Sequence, residues 1–285
     1  MKIRDLLSPD HPTLSFEVFP PKTEAQYESV KEASRQIAEL KPAFMSVTYG
    51  AGGGTTAYTT RLAGFLKSIG VESLAHLTCV STSRARLEEI LAAYREQGIE
   101  NVLALRGDLP KDGHREYDFM YVSDLVPAIH AAGDFCVGAA CYPEGHPEAA
   151  TRSLDIKNLK RKVEAGCDFI TTQMFFDNAL YYNFLYRIRK AGIKVPVLAG
   201  IMPVTSSNSL KRIRELSGSY MPLRFMGLVD KFWDNPLAMQ QAGVAYATEQ
   251  IIDLVANGVD GIHIYCMNRP DVSRQLRENL RGIIG

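Results

Sequence analysis

This sequence predicts a single (β/α)8 TIM barrel, and three observations carry the prediction. Eight short apolar, β-rich runs alternate with segments of helical periodicity, the signature of a parallel sheet with crossover helices. The length, 285 residues, suits one closed barrel, which commonly takes about 250. The strand ends are polar, whereas barrel core layers are usually branched and apolar, and barrel active sites form at those ends. An open doubly wound sheet is the alternative, but no G-x-G-x-x-G follows the first strand. With no linker and no low-complexity tract, residues 1–285 read as one domain.

The first strand is Leu14–Phe19, stopped by Pro20-Pro21. The helix over Glu24–Leu40 follows, with Val30, Ala33, Ile37 and Leu40 on one face. Phe44–Tyr49 and Leu74–Val80 are the second and third strands, and Ser83 caps a helix reaching Tyr94. Asn101–Arg106 is the fourth strand, turned by Gly107 and halted by Pro110. Phe135–Tyr142 is the fifth, followed by an irregular Pro/Gly loop and a helix opening at Asp155. Asp168–Phe175, Val195–Ile201 and Gly261–Met267 complete the set. Period-2 alternation puts Ser15 with Glu17, Ser46 with Thr48, His76 with Thr78, and Thr171 with Gln173 on single strand faces, and His263 lies on the last strand. Each set points either into the barrel or toward the helices.

Composition removes several function classes. The chain is 46% hydrophobic and 22% charged, with 32 basic and 32 acidic residues and net charge +0. No basic block suggests nucleic acid or an anionic membrane. No apolar stretch is long enough to span a bilayer, and the N-terminus lacks a signal-peptide core. Five scattered cysteines without C-x-x-C argue against disulfides or structural zinc, so a reducing cytoplasm is expected. No H-x-H pair, H-E-x-x-H, strand lysine, G-x-S-x-G or Walker loop is present. Metal-free chemistry on a bound organic cofactor is what these absences leave.

Glu17 is the most informative position. A carboxylate inside Leu14–Phe19 either faces water on an edge strand or is buried. Buried, it holds a proton and becomes a ready general acid. Arg106-Gly107-Asp108 is either an internal ion pair or a charged pair aimed at a ligand. Asp155, Asn158 and Lys162 share a helix face flanked by Arg161, which is either a solvated face or a phosphate or ribityl site. Small Ala139 and Ala140 would let a flat ring approach the fifth strand.

Seven motifs together carry a family resemblance. They are Phe16–Lys22, Ser46–Ala51, His76–Cys79, Leu105–Pro110, Tyr142–Glu148, Asn158–Lys162 and Thr172–Asp177. In this order, from about residue 14 to Arg269, the chain resembles methylenetetrahydrofolate reductase. The resemblance implies an FAD-containing barrel that reduces 5,10-methylenetetrahydrofolate to 5-methyltetrahydrofolate with NADH or NADPH. By motif, Thr48, His76, Arg106, Gly107, Asp108, Tyr121, Ala140, Tyr142, His146, Asp155, Asn158, Arg161 and Lys162 would line FAD. Glu17, Asp108, Gln173 and Arg269 would serve the folate. The loop Ser206–Lys211 lacks the glutamine that some members use toward folate. The family is commonly oligomeric. The sequence ends soon after the eighth strand, without the adenosylmethionine-binding domain of animal and fungal members.

These roles fit the chemistry. Opening the imidazolidine ring needs a proton on the leaving nitrogen, which Glu17 would give. The resulting cation needs nearby negative charge, from Asp108. Folate and nicotinamide would use one flavin face in turn, which implies ping-pong behaviour. Two alternatives are a flavin-free pterin barrel that transfers a methyl group, and a flavin-bearing subunit that draws electrons from a partner.

Overall fold

A computed structural model describes residues 1–8, 11–49, 56–80, 82–107, 118–206, 210, 213 and 218–284. Eight parallel strands close in sequence order, β1 pairing with both β2 and β8. They are β1 (Thr13–Val18), β2 (Phe44–Val47), β3 (Ser73–Thr78), β4 (Asn101–Leu105), β5 (Cys136–Cys141), β6 (Phe169–Thr172), β7 (Val197–Ile201) and β8 (Gly261–Tyr265). The predicted barrel is the observed fold, and every predicted strand has its counterpart.

The described residues hold nine α-helices: α1 (Tyr27–Ala38), α2 (Thr56–Ser68), α3 (Arg84–Glu96), α4 (Val122–Ala132), α5 (Arg152–Glu164), α6 (Asn178–Lys190), α7 (Leu223–Phe232), α8 (Pro236–Ala256) and α9 (Pro270–Asn279). Ser83 caps α3 as predicted, its Oγ accepting from Arg86 N at 3.2 Å. The helix expected to open at Asp155 begins a turn earlier. Thr151 Oγ1 accepts from Leu154 N at 3.1 Å, and that cap fixes the start at Arg152. None of these helices is long and apolar enough to cross a membrane.

Strand alternation sorts the core. Phe16, Val18, Val47, Leu77, Val137 and Ile264 are buried in the large apolar cluster that also holds Ile37 of α1 and Leu91 of α3. Full burial of one such side chain contributes about 1.5–3 kcal/mol. A second cluster, of Phe44, Leu74, Leu103, Phe169 and Leu198, gathers with Ile3 from the N-terminal turn. The polar residues of β1, β2, β3 and β8 then meet one another inside the barrel. Ser15, Ser46 and His263 are all at most 1% exposed, and all three are linked by hydrogen bonds.

Candidate active site

The carboxyl of Glu17 is buried, not on a water-facing edge: the residue is 7% exposed and β1 is paired on both sides. Its Oε2 accepts from Ser46 Oγ at 3.4 Å, or donates to it when protonated. His76 Nε2 lies 3.4 Å from the same oxygen. That buried nitrogen has no hydrogen-bond partner among the described residues. Glu17 and His76 open onto a cavity of about 380 Å³, also lined by Thr48, Arg106, Gly107, Ala140, Tyr142, His146, Lys162 and Gln173. A neighbouring recess of about 410 Å³ shares Arg106, His146 and Lys162 and adds Tyr121, Asp155, Asn158 and Arg161. The helix face flanked by Arg161 therefore borders a recess that shares wall residues with the main cavity.

Burial shapes the charges here. It pushes His76 down to about 4, and nearby Glu17 only partly counteracts that. His76 is therefore neutral at pH 7. The unfolded chain takes up this proton near 6.5 and the folded chain only near 4, so stability is full above 6.5 and falls as pH drops toward 4. The expected loss at pH 5 is about 2 kcal/mol relative to pH 7.5, and His76→Gln should abolish that part of the slope. Denaturant titrations at the two pH values measure it; identical slopes in both proteins would contradict the buried neutral imidazole.

Burial also lowers Lys162, whose Nζ donates to Ala140 O at 2.6 Å. His146 is lowered by burial and then by Arg106. His146 Nδ1 accepts from Glu148 N at 3.1 Å, which leaves the proton of the neutral ring on Nε2. Gln173 Oε1 accepts from Met174 N at 2.9 Å, so the amide presents its NH₂ end to the cavity. Gly107 adopts φ +81, and a Cβ there would strike Val80 Cγ2 and come within 3.0 Å of Thr78 Cβ. Only glycine lets the β4 end turn this tightly against the cavity wall.

Some predictions fall elsewhere. Asp108 lies outside the described residues, as do 207–209 and 211 of the Ser206–Lys211 loop. Arg106 pairs with Glu148 through two contacts, of 2.5 and 2.7 Å. Arg269 lines neither recess. Its guanidinium donates to Asp271 at 2.6 and 2.9 Å and to Gln240 at 3.0 Å, because the first turn of α9 brings that carboxylate back to it. Tyr49, Thr78, Thr171 and Tyr265 line the main cavity without having been named as ligand contacts. Tyr265 stands two positions beyond His263, and period-2 extension would have found it.

The cavity suits a large planar cofactor with a phosphate arm. Two buried polar atoms, His76 Nε2 and Thr171 Oγ1, lack partners among the described residues, and both residues line the main cavity. Arg106 and Lys162 stand where the two recesses meet, and Arg161 borders the second. No group of three or more metal-ligating side chains occurs among the described residues, and all five cysteines are buried free thiols.

A family model for methylenetetrahydrofolate reductase matches residues 2–281. The chain is 37% identical over 261 residues to the 5,10-methylenetetrahydrofolate reductase of Pectobacterium carotovorum subsp. carotovorum, covering 91% of this chain and 87% of that protein. It is 36% identical to the Escherichia coli (strain K12) enzyme of the same name, at 91% and 88% coverage. It is 33% identical to methylenetetrahydrofolate reductase (NADH) 1 of Arabidopsis thaliana, covering 94% of this chain and 48% of that one. Among solved structures, an uncharacterized Clostridium thermocellum protein that binds two copies of 5-methyl-5,6,7,8-tetrahydrofolic acid superposes with TM-score 0.71. At 14% identity, with 96% of each chain covered, that likeness shows the fold alone. The match across nearly the whole chain places it in the methylenetetrahydrofolate reductase family, oxidoreductases that reduce methylenetetrahydrofolate to methyltetrahydrofolate.

Proposed function

We propose that this chain reduces 5,10-methylenetetrahydrofolate to 5-methyltetrahydrofolate with bound FAD, drawing electrons from NADH or NADPH. The observation that carries the reading is Glu17, a buried carboxyl beside a neutral imidazole at the wall of the main cavity. When bound, FAD supplies the hydride. The protein's own residues do the rest. Thr48, His76, Gly107, Ala140 and Tyr142 form the wall for the planar ring, and Tyr121, Asp155, Asn158, Arg161 and Lys162 hold the ribityl and phosphate arm. Glu17 protonates the leaving nitrogen of the folate ring. Gln173 offers its NH₂ to a carbonyl of the pterin or the nicotinamide. Asp108 stabilises the cation, and Arg269 serves the folate once it releases Asp271. The two substrates enter one cavity in turn, so initial-rate plots should show ping-pong patterns.

Purified protein should be yellow, lose its flavin absorbance on mixing with NADH or NADPH, and regain it on adding the methylene folate. Stopped-flow runs with each nucleotide separately identify the donor. A colourless protein that binds folate and takes up no FAD would favour the flavin-free methyl-transfer barrel. Flavin that neither nucleotide reduces, with folate still reduced by an artificial donor, would favour a partner subunit. Lys162→Met removes one buried cation, so FAD affinity for the apoprotein should fall roughly 10- to 100-fold. Fluorescence titration reads that change, and an unaltered affinity would take Lys162 out of the FAD site.

A further inference from the structure

We propose that Ser15, His263 and Ser46 form a directed hydrogen-bond chain that keeps the proton on Glu17 until the folate nitrogen takes it. This rests on the folate-reductase reading above and deepens it by naming three positioning residues. Ser15 Oγ lies 3.0 Å from Ile262 O and 2.8 Å from His263 Nδ1. Ser46 Oγ lies 3.1 Å from His263 Nε2 and 3.4 Å from Glu17 Oε2. The four residues come from three adjacent strands, β8, β1 and β2.

Two proton arrangements compete. In the first, Ser15 donates to Ile262 O and accepts from His263 Nδ1–H. His263 Nε2 then accepts from Ser46, and Ser46 accepts from the Glu17 acid. All four contacts become hydrogen bonds. In the second, Ser15 donates to Nδ1, Nε2–H donates to Ser46, and Ser46 donates to a Glu17 carboxylate. Ser15 then has no proton left for Ile262 O, and one contact is forfeited. Ser15 and Ser46 are 0% exposed and His263 1%, so no water replaces the missing bond and its loss is costly. Of these two, with a neutral imidazole, the first therefore wins, and it requires Glu17 to be a donor.

Protonating His263 on both nitrogens, with Ser46 relaying to a Glu17 carboxylate, would also complete the four contacts. It would bury an imidazolium at a residue 1% exposed with no direct charged partner. His263 Nε2 to Glu17 Oε2 is 3.7 Å, against the roughly 2.7–2.9 Å of a charge-assisted contact, and burying two charges without that contact is costly. Among the described residues, the titratable groups nearest the carboxyl are uncharged at neutral pH. His76 on β3 is pushed down to about 4 by burial. On β8, Tyr265 is raised well above its ordinary range and donates to Thr172 O at 2.6 Å. Just beyond β8, Cys266 is raised to about 11 by burial, and its thiol donates to the Glu17 backbone carbonyl at 3.0 Å. Among the described residues, no lysine or arginine lines the cavity beside Glu17 except Arg106 and Lys162. Those two are engaged with Glu148 and the Ala140 carbonyl.

Delivery follows from the same contacts. The Glu17 hydroxyl swings from Ser46 to the leaving nitrogen of the folate ring. The O–H bond breaks, an N–H bond forms with the electron pair of the breaking C–N bond, and a carboxylate is left. Ser46 then rotates its proton from His263 Nε2 to the carboxylate, so one hydroxyl stabilises both states. Solvent water returns the proton between turnovers.

The test uses the full-length protein labelled with ¹⁵N-histidine, without folate. Long-range ¹H–¹⁵N spectra should show His263 protonated on Nδ1 alone. The resonance is assigned by its loss in His263→Gln or, should that variant not fold, by elimination through the other five histidines. Protonation on Nε2 alone, or on both nitrogens, overturns the proposal without any variant being made. Ser15→Ala should move the His263 proton to Nε2 and favour the Glu17 carboxylate. The alkaline limb of folate reduction should then shift down by about one pH unit. An enzyme slower at every pH, with limb and tautomer unmoved, would reduce Ser15 to packing and also overturn the proposal. Retained full folate reduction in Glu17→Gln would overturn the proposal as well, whereas failure of the folate reading looks different: the unaltered protein would reduce no methylene folate, whatever the tautomer.

Discussion

Glu17→Gln should lower folate reduction by about 10²–10⁴-fold, the range a general acid contributes, while FAD binding and NAD(P)H oxidation persist. The substitution keeps size and burial and removes only the transferable proton. The site around it should hold, because Ser46 and His263 keep their bonds to each other and to Ser15. An amide in place of the carboxyl still has Ser46 as a partner at the position now 3.4 Å away, so no buried polar group is orphaned and thermal stability should change little. The nucleotide half-reaction needs no proton from this side chain. Two stopped-flow experiments on one preparation separate the halves: nucleotide-driven loss of flavin absorbance, then its return with the methylene folate. Equal losses in both would show that Glu17 shapes the cavity rather than supplying the proton.

Glu17 also shows what the sequence made legible. One carboxylate in an apolar run is a local anomaly, and strand alternation fixes which neighbours share its face. The barrel itself was readable because eight strand-sized runs repeat with helix-sized spacing, a pattern set by local propensity and burial. Ser15 and His263, 248 positions apart, could be named as polar strand residues. Their contact could not, since it exists only once β8 closes on β1. The same holds for charged pairs at the mouth. Arg106 has an acidic neighbour two residues away in sequence, which lies outside the described residues, and the structure also pairs it with Glu148, 42 positions on. Loop geometry after β5 makes that pairing, and no periodic signal encodes loop geometry. Arg269 borders neither recess for a local reason, the Asp271 carboxylate in the first turn of α9 that holds its guanidinium, and that two-residue spacing is visible in the sequence. The start of α5 was missed because Thr151 caps it, while the more charged Asp155 drew attention to the next turn.

Gly243→Ala should destabilise the protein by about 2 kcal/mol or more, against the rule for helices. Gly243 lies in the interior of α8, where alanine normally stabilises by up to about 1 kcal/mol through propensity alone. Here the helix packs directly on backbone. A Cβ at Gly243 would fall far inside contact distance of Val204 O and 2.7 Å from its carbonyl carbon, with Thr205 N at 3.5 Å. A side chain could rotate away, but a main-chain carbonyl cannot, so helix or segment must move by more than an ångström. Overpacking of that kind costs about 1–3 kcal/mol and occasionally more, which outweighs the propensity gain. The segment displaced is the one leaving β7, and Val204 packs there with Phe176, Met202 and Phe225. A drop in Tm of roughly 4–6 °C is the expected reading for a chain of this size. Folate KM should rise more than nucleotide KM if the β7 exit positions the folate-facing part of the mouth. A Gly243→Ala protein as stable as the parent would mean that α8 has slack against Val204. The close helix–backbone contact would then not be what holds the β7 exit in place.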